Sequence, residues 1–138
     1  MDNTKLCKIE IPGCPVTKKN HQRILMNHRT GRRFIAPSEQ YTDYQEYAGW
    51  FVPKLGITEK VNVRCLYYMG TKRKVDLCNL LECTCDILVK YGAIKDDSSE
   101  YVGSHDGSRV LYDKKRPRVE IYIEPYRKEK EDDDRTEP

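Results

Sequence analysis

Between residues 61 and 92 the hydrophobic period changes once, from that of a strand to that of a helix. No other feature constrains the fold as tightly. Val61, Val63, Cys65 and Tyr67 fall on one face of a strand over 61–69, with the two-residue repeat of a sheet. Asp76 then stands as the N-cap of a helix over 77–91, Lys90 sits in its last turn, and Gly92 takes the position after its end. A central strand followed directly by a capped amphipathic helix calls for a sheet with helices packed on it.

The remaining segments extend this plan. Residues 5–11 alternate apolar and polar side chains until Pro12, Gly13 and Pro15 end the run, and 33–36 reads as a short strand beside Gly31. Pro37-Ser38 opens a second helix with Ser38 as N-cap. Tyr41, Tyr44, Tyr47, Ala48 and Phe51 form its expected core stripe, and Pro53 and Gly56 close it. Strands are expected over 99–103 and 118–124. The sum is an α+β fold: a single domain over 1–124, with a mixed β-sheet and two main helices, followed by a charged, disordered tail over 125–138.

Composition narrows the class. No run of 18 apolar residues exists, which excludes a spanning helix, and the first residues lack a signal peptide's apolar stretch, so a cytoplasmic protein is expected. The six cysteines are then expected as reduced thiols. No CxxC occurs, so their spacing matches no zinc knuckle or ribbon. The net charge of +3 is unevenly spread. Residues 127–138 carry four Lys/Arg against six Asp/Glu, leaving twenty-one bases against sixteen acids in 1–126. Residues 11–35 contain no acid, but hold Lys18, Lys19, Arg23, Arg29, Arg32 and Arg33 together with His21 and His28. Such a stretch is either a phosphate-binding surface or a solvated loop.

The helix over 77–91 carries the chemistry. At 100° per residue, Leu77, Leu81, Thr84 and Leu88 share one side, flanked by Leu80 and Cys85, while Asn79, Glu82, Asp86 and Lys90 share the other. Asp76 stands at the entrance and Asp96-Asp97 just beyond the exit. If the exit loop folds back, four or five carboxylates converge. Two unit charges 6 Å apart repel by roughly 3 kcal/mol at an effective dielectric near 20, so the carboxylates either splay into water or share a divalent cation. Hard oxygen ligands suit Mg²⁺ or Mn²⁺. Ser104-His105-Asp106-Gly107-Ser108-Arg109 contains a Ser, a His and an Asp, but consecutive turn-like residues make a poor triad and read as a hairpin connection. His21, His28 and His105 read as surface or phosphate contacts.

The run Lys74-Val75-Asp76-Leu77-Cys78-Asn79-Leu80-Leu81-Glu82, then Asp86-Ile87-Leu88, Gly92 and Asp96-Asp97, resembles the signature of the RusA family of Holliday-junction resolvases. Ile11-Pro12-Gly13 with Lys18-Lys19-Asn20 is similar to that family's opening strand and basic loop, and Arg118 to Ile123 fits its concluding strand. The resemblance implies a small homodimeric, Mg²⁺-dependent endonuclease that resolves four-way DNA junctions. It also implies an acidic centre of three aspartates. The first matches Asp76 and the last Asp97. The middle one falls at Cys78, and Glu82 stands where better-known members carry a lysine. Positions 78 and 82 are neighbours one turn apart, so Glu82 can return the carboxylate lost at Cys78. The expected metal ligands are therefore Asp76, Glu82 and Asp97, with Asp86 and Asp96 as supporting or alternate ligands. Lys74, Lys90 and Lys95 are the candidates for the missing lysine. Lys18, Lys19, Arg23, Arg32, Arg33, Arg73 and Lys74 are expected to bind DNA phosphates. Loss of the usual Asp and Lys also fits a branched-DNA binder without cleavage.

Overall fold

The computed structural model describes residues 7–17 and 22–127. Its elements run β1 (Cys7–Pro12), β2 (Gln22–Met26), β3 (Arg33–Pro37), α1 (Glu39–Gly49), β4 (Val61–Met69), α2 (Leu77–Lys90), β5 (Val102–Ser104), β6 (Arg109–Tyr112) and β7 (Arg118–Pro125). The architecture is the expected α+β domain with a mixed sheet and two helices. β4 lies at its heart. It pairs antiparallel with β7 along eight residue pairs, and β7 pairs in turn with β1. On its other edge β4 takes β5 and then β6, both parallel. Strand β4, helix α2 and the β5–β6 edge thus form a βαβ crossover, which parallel pairing requires.

Val61, Val63, Cys65 and Tyr67 are fully buried, facing a core that also holds Ile9, Ile11, Val119, Ile121 and Ile123. Leu80, Cys83, Thr84, Ile87 and Leu88 of α2 are buried at three- and four-residue steps. This stripe is rotated from the expected one: Leu77 and Leu81 are only half-buried, because Cys83 turns toward Tyr41 on α1. The Tyr67 hydroxyl lies 2.6 Å from Thr84 Oγ1, which donates to the Leu80 carbonyl. Tyr67 is therefore the donor that ties α2 to the sheet.

Several expectations need revision. β2 is a strand that the sequence reading missed; it pairs with β3 in a separate two-stranded sheet. Helix α1 stops at Gly49, ahead of Pro53, where the Tyr91 ring approaches so closely that an added Cβ would lie 2.5 Å from it. Of its stripe, Tyr41 and Ala48 are buried, while Tyr47 and Phe51 remain exposed. Residues 105–108 are not a hairpin connection, since β5 and β6 run in the same direction along β4. Within that gap side chains replace the ladder: Ser108 Oγ accepts the Cys65 N–H at 2.9 Å, and His105 Nδ1 meets the Val63 carbonyl at 2.9 Å. β7 runs to Pro125 and Lys60 lies over the Tyr126 ring; residues 128–138, most of the expected tail, lie outside the described residues. No described helix is long and apolar enough to cross a membrane.

Arg118 locks β7 to its surroundings. Its guanidinium stacks 3.8 Å above the Tyr68 ring, donates from Nε to Glu120 and donates from Nη1 to Asp113. Burial alone would raise the Glu120 carboxyl, but hydrogen bonds from Arg118 and Tyr122 outweigh it and hold the group below its ordinary value. The hydrogen bond from Arg118 lowers Asp113 too. Both folded values lie below the unfolded ones of about 4.3 and 3.9. Their contribution is therefore complete above those values and is lost as pH falls through the folded ones. Arg118→Leu should lower stability at pH 7, because it leaves the Glu120 and Asp113 carboxylates without their cation. It should also flatten the fall in urea midpoint between pH 5 and 3 that the parent protein shows.

Candidate functional site

Asp76 begins α2 by local chemistry. Its backbone is extended (φ −89°, ψ 115°), and its carboxylate accepts the Cys78 N–H at 3.0 Å, one of the donors a helix start leaves unpaired. At the other end Gly92 adopts φ +84°, which lets the chain turn sharply out of the helix. The exit loop is then pinned. Ile57 N–H donates to the Ala93 carbonyl at 3.0 Å, Lys95 N–H donates to the Ile57 carbonyl at 3.2 Å, and Ala93 and Ile94 are buried. Asp96 and Asp97 follow directly, both exposed.

The carboxylates are disposed unequally. Burial pushes the Cys85 thiol up to about 12, and the charges of Asp97 and Asp86 add to the rise, so both carboxylates lie within electrostatic reach of that sulfur. Cys85 is nine residues beyond Asp76, about 14 Å of helical rise. Asp86 also raises the Tyr41 phenol, although burial is the larger cause there. Asp76 and Glu82 are exposed and Asp86 is half-buried. Among the described residues, no three His, Cys, Asp or Glu side chains stand together as a metal ion would require. The expected four or five carboxylates therefore do not form a three-ligand group among the described residues. The donor chemistry of Asp76, Glu82 and Asp97 nevertheless suits a hard cation, since all are oxygen ligands. Cys85, held protonated, does not compete.

His105 departs from its expected surface role. It is half-buried, with Nδ1 2.9 Å from the Val63 carbonyl and Nε2 4.0 Å from Cys85 Sγ. Ser104 Oγ and the Asp106 backbone N–H both donate to Asn62 Oδ1, at 2.6 and 2.7 Å, and His105 Nδ1 is spent on a backbone carbonyl, so this segment braces β4 and is no triad. Nothing in the periodicity signals that role; it depends on which β4 groups the β5–β6 gap leaves unpaired.

The cations fall into two groups. Arg73 and Lys74 are exposed in the loop between β4 and α2. Arg32 and Arg33 are exposed on the β2–β3 hairpin, whose turn is set by Asn27 accepting the Arg29 N–H and by Gly31 at φ +72°. Lys18 and Lys19 lie outside the described residues, and Arg23 is placed by its backbone alone, on β2. Of the three candidates for the missing lysine, Lys90 donates to Gln45 at 3.0 Å and Lys95 lies over the Tyr101 ring. Lys74 has no partner among the described residues.

A five-stranded mixed sheet, a two-stranded hairpin, a helix edged with carboxylates and exposed cations on two loops make up a small α+β domain. Residues 12–124 match the family model described as Endodeoxyribonuclease RusA, and the chain belongs to that nuclease family. No individual curated protein matches it.

The N-cap can be tested apart from any activity. Asp76→Ala should lower stability by about 1 kcal/mol, whereas Asp76→Asn keeps a capping oxygen and should stay within a few tenths of the parent, measured by urea unfolding.

Proposed function

We propose that the chain is a Mg²⁺-dependent, structure-selective endodeoxyribonuclease that resolves four-way DNA junctions by paired nicks, with Mn²⁺ able to substitute. The observation that carries this reading is the family match over 12–124 on a chain that presents Asp76, Glu82 and Asp97 as exposed carboxylates around α2. These three would hold the ion, with Asp86 and Asp96 beside them. Bound there, a divalent ion supplies an activated water and offsets charge on the phosphate. Lys74 takes the charge-neutralising part that a lysine at position 82 would otherwise play. Arg73, Arg32 and Arg33, with Lys18, Lys19 and Arg23, hold backbone phosphates and so set the register of the DNA without reading its sequence. A four-way junction is two-fold symmetric and needs two nicks, so a homodimer supplies one centre per strand. The protein acts in the cytoplasm.

A second reading, a junction binder that no longer cleaves, draws on Cys78 at the usual middle acid and Glu82 at the usual lysine. A synthetic four-way junction separates the two. With Mg²⁺ the parent protein should nick it symmetrically, and with Ca²⁺ it should only bind. Asp97→Asn and Glu82→Gln should each reduce nicking on the order of a hundredfold or more while keeping the Ca²⁺ gel shift. Full nicking by Glu82→Gln would remove Glu82 from the ligand set. Binding without nicking in either Mg²⁺ or Mn²⁺ would establish the second reading.

The phosphate contacts have their own signature. Lys74→Ala should reduce the slope of log affinity against log salt by about 0.9, the value of one released counterion, for junctions of any sequence.

A further inference from the structure

The hairpin of β2 and β3 stands apart from the main sheet, with which it shares no strand pairing among the described residues. Leu25 pairs with Phe34 on one of its faces, while Ile24 and Met26 lie on the other beside Arg33. Ile24 is 68 % exposed, and Leu25, Met26 and Phe34 are exposed as well, so apolar side chains stand open on both faces. A lone two-stranded hairpin is marginal in water, and one as apolar as this calls for a covering surface.

A second patch occupies the far end of α1. Trp50 is 87 % exposed, and its neighbours in the chain Tyr47, Phe51 and Leu55 are exposed too. At 100° per residue, Glu39, Asp43, Glu46 and Trp50 fall within about 60° of one another, so a stripe of carboxylates leads to the indole. The three carboxylates are exposed, and none has a cation partner among the described residues. Such a stripe repels a polyanion. It turns this face away from DNA and toward a partner that is apolar and basic.

The hairpin has that character: Leu25 and Phe34 share a face, and Arg29 is exposed in the turn. Within one copy the two patches stay apart, because β3 ends where α1 begins and the helix carries Trp50 about 16 Å away. Resting on the two-copy nuclease proposed above, we infer that the hairpin of each copy lies along α1 of the other. Leu25 and Phe34 pack against Trp50 and Phe51, and Arg29 faces the carboxylate stripe. Two-fold symmetry makes the contact twice, since each copy presents both halves. A five-residue strand is about 17 Å long, which matches the length of α1. Leu25, Phe34, Tyr47, Trp50, Phe51 and Leu55 expose on the order of 700 Å² per copy. With Arg29 and the carboxylates added, this reaches the roughly 800 Å² that each partner gives to a standard interface. Arg33, on the opposite face of the hairpin, stays open to a phosphate.

Trp50 is the single tryptophan of the chain, so its fluorescence reports this interface alone. For the full chain, sedimentation equilibrium should show a dimer, and indole emission should move to shorter wavelength as concentration rises through the dissociation constant. Trp50→Ser should weaken dimerisation about tenfold or more, with an unchanged far-ultraviolet circular dichroism spectrum. Arg29→Glu and Asp43→Lys should each weaken it severalfold, and the two combined should recover most of the loss. The interface is overturned if the parent chain sediments as a monomer, if its emission stays fixed on assembly, if Trp50→Ser keeps the dimer, or if the combined charge variant recovers nothing. Junction nicking by a protein whose dimer survives Trp50→Ser would reject the interface and keep the nuclease. A dimer lost in Trp50→Ser, from a parent that nicks no junction in any divalent metal, would keep the interface and reject the nuclease.

Discussion

The antiparallel pairing of β4 with β7 is the constraint on which the molecule depends. It joins the two strands with the longest register, covers one edge of β4 completely and buries Val61, Val63, Cys65 and Tyr67 against Val119, Ile121 and Ile123. With that edge taken, the chain leaving α2 must return to the other one, and it does so in two parallel pieces, β5 and β6. α2 is therefore held between the end of β4 and the β5–β6 edge. Its entrance cap and its exit loop, the two places where acids flank it, are set by the sheet and not by the helix alone.

The return edge also explains a segment that looks functional in the sequence. Ser104, His105, Asp106 and Ser108 attract notice as possible catalytic groups, yet their polar atoms satisfy β4 where the parallel ladder is interrupted. A buried strand with unpaired backbone groups would be costly; the Ser108 and His105 side chains meet that need, while Ser104 and the Asp106 backbone hold the Asn62 side chain. The consequence reaches α2, because the same His105 faces Cys85, beside which Asp86 and Asp97 are found.

Electrostatics divides the surface of the domain in a way suited to a polyanion. Exposed cations occupy the β4–α2 loop and the β2–β3 hairpin, whereas carboxylates follow α2 and its exit. Carboxylates tied to structure, such as Glu120 and Asp113, are already held by Arg118 and stay charged at neutral pH. Asp76 has a local duty as N-cap but leaves one carboxylate oxygen for other use, since the helix takes only Oδ1. Capping therefore leaves that second oxygen available to the metal role proposed for Asp76.

Much of this was legible in the residues themselves. Strand β4 follows from its two-residue repeat, and both ends of α2 follow from Asp76 and Gly92, because caps are local chemistry that needs no distant partner. The run from Lys74 to Asp97 also carried the family resemblance. The tertiary structure alone decided the rest. β2 escaped notice because Ile24, Leu25 and Met26 form an exposed apolar run without alternation. The buried stripe of α2 turned toward Cys83 because α1 packs there, and residues 105–108 became a brace because of the break in the β4 ladder. Local spacing determines which elements form and where they stop; which groups end up facing one another depends on contacts between elements, and no repeat in a single chain segment encodes those.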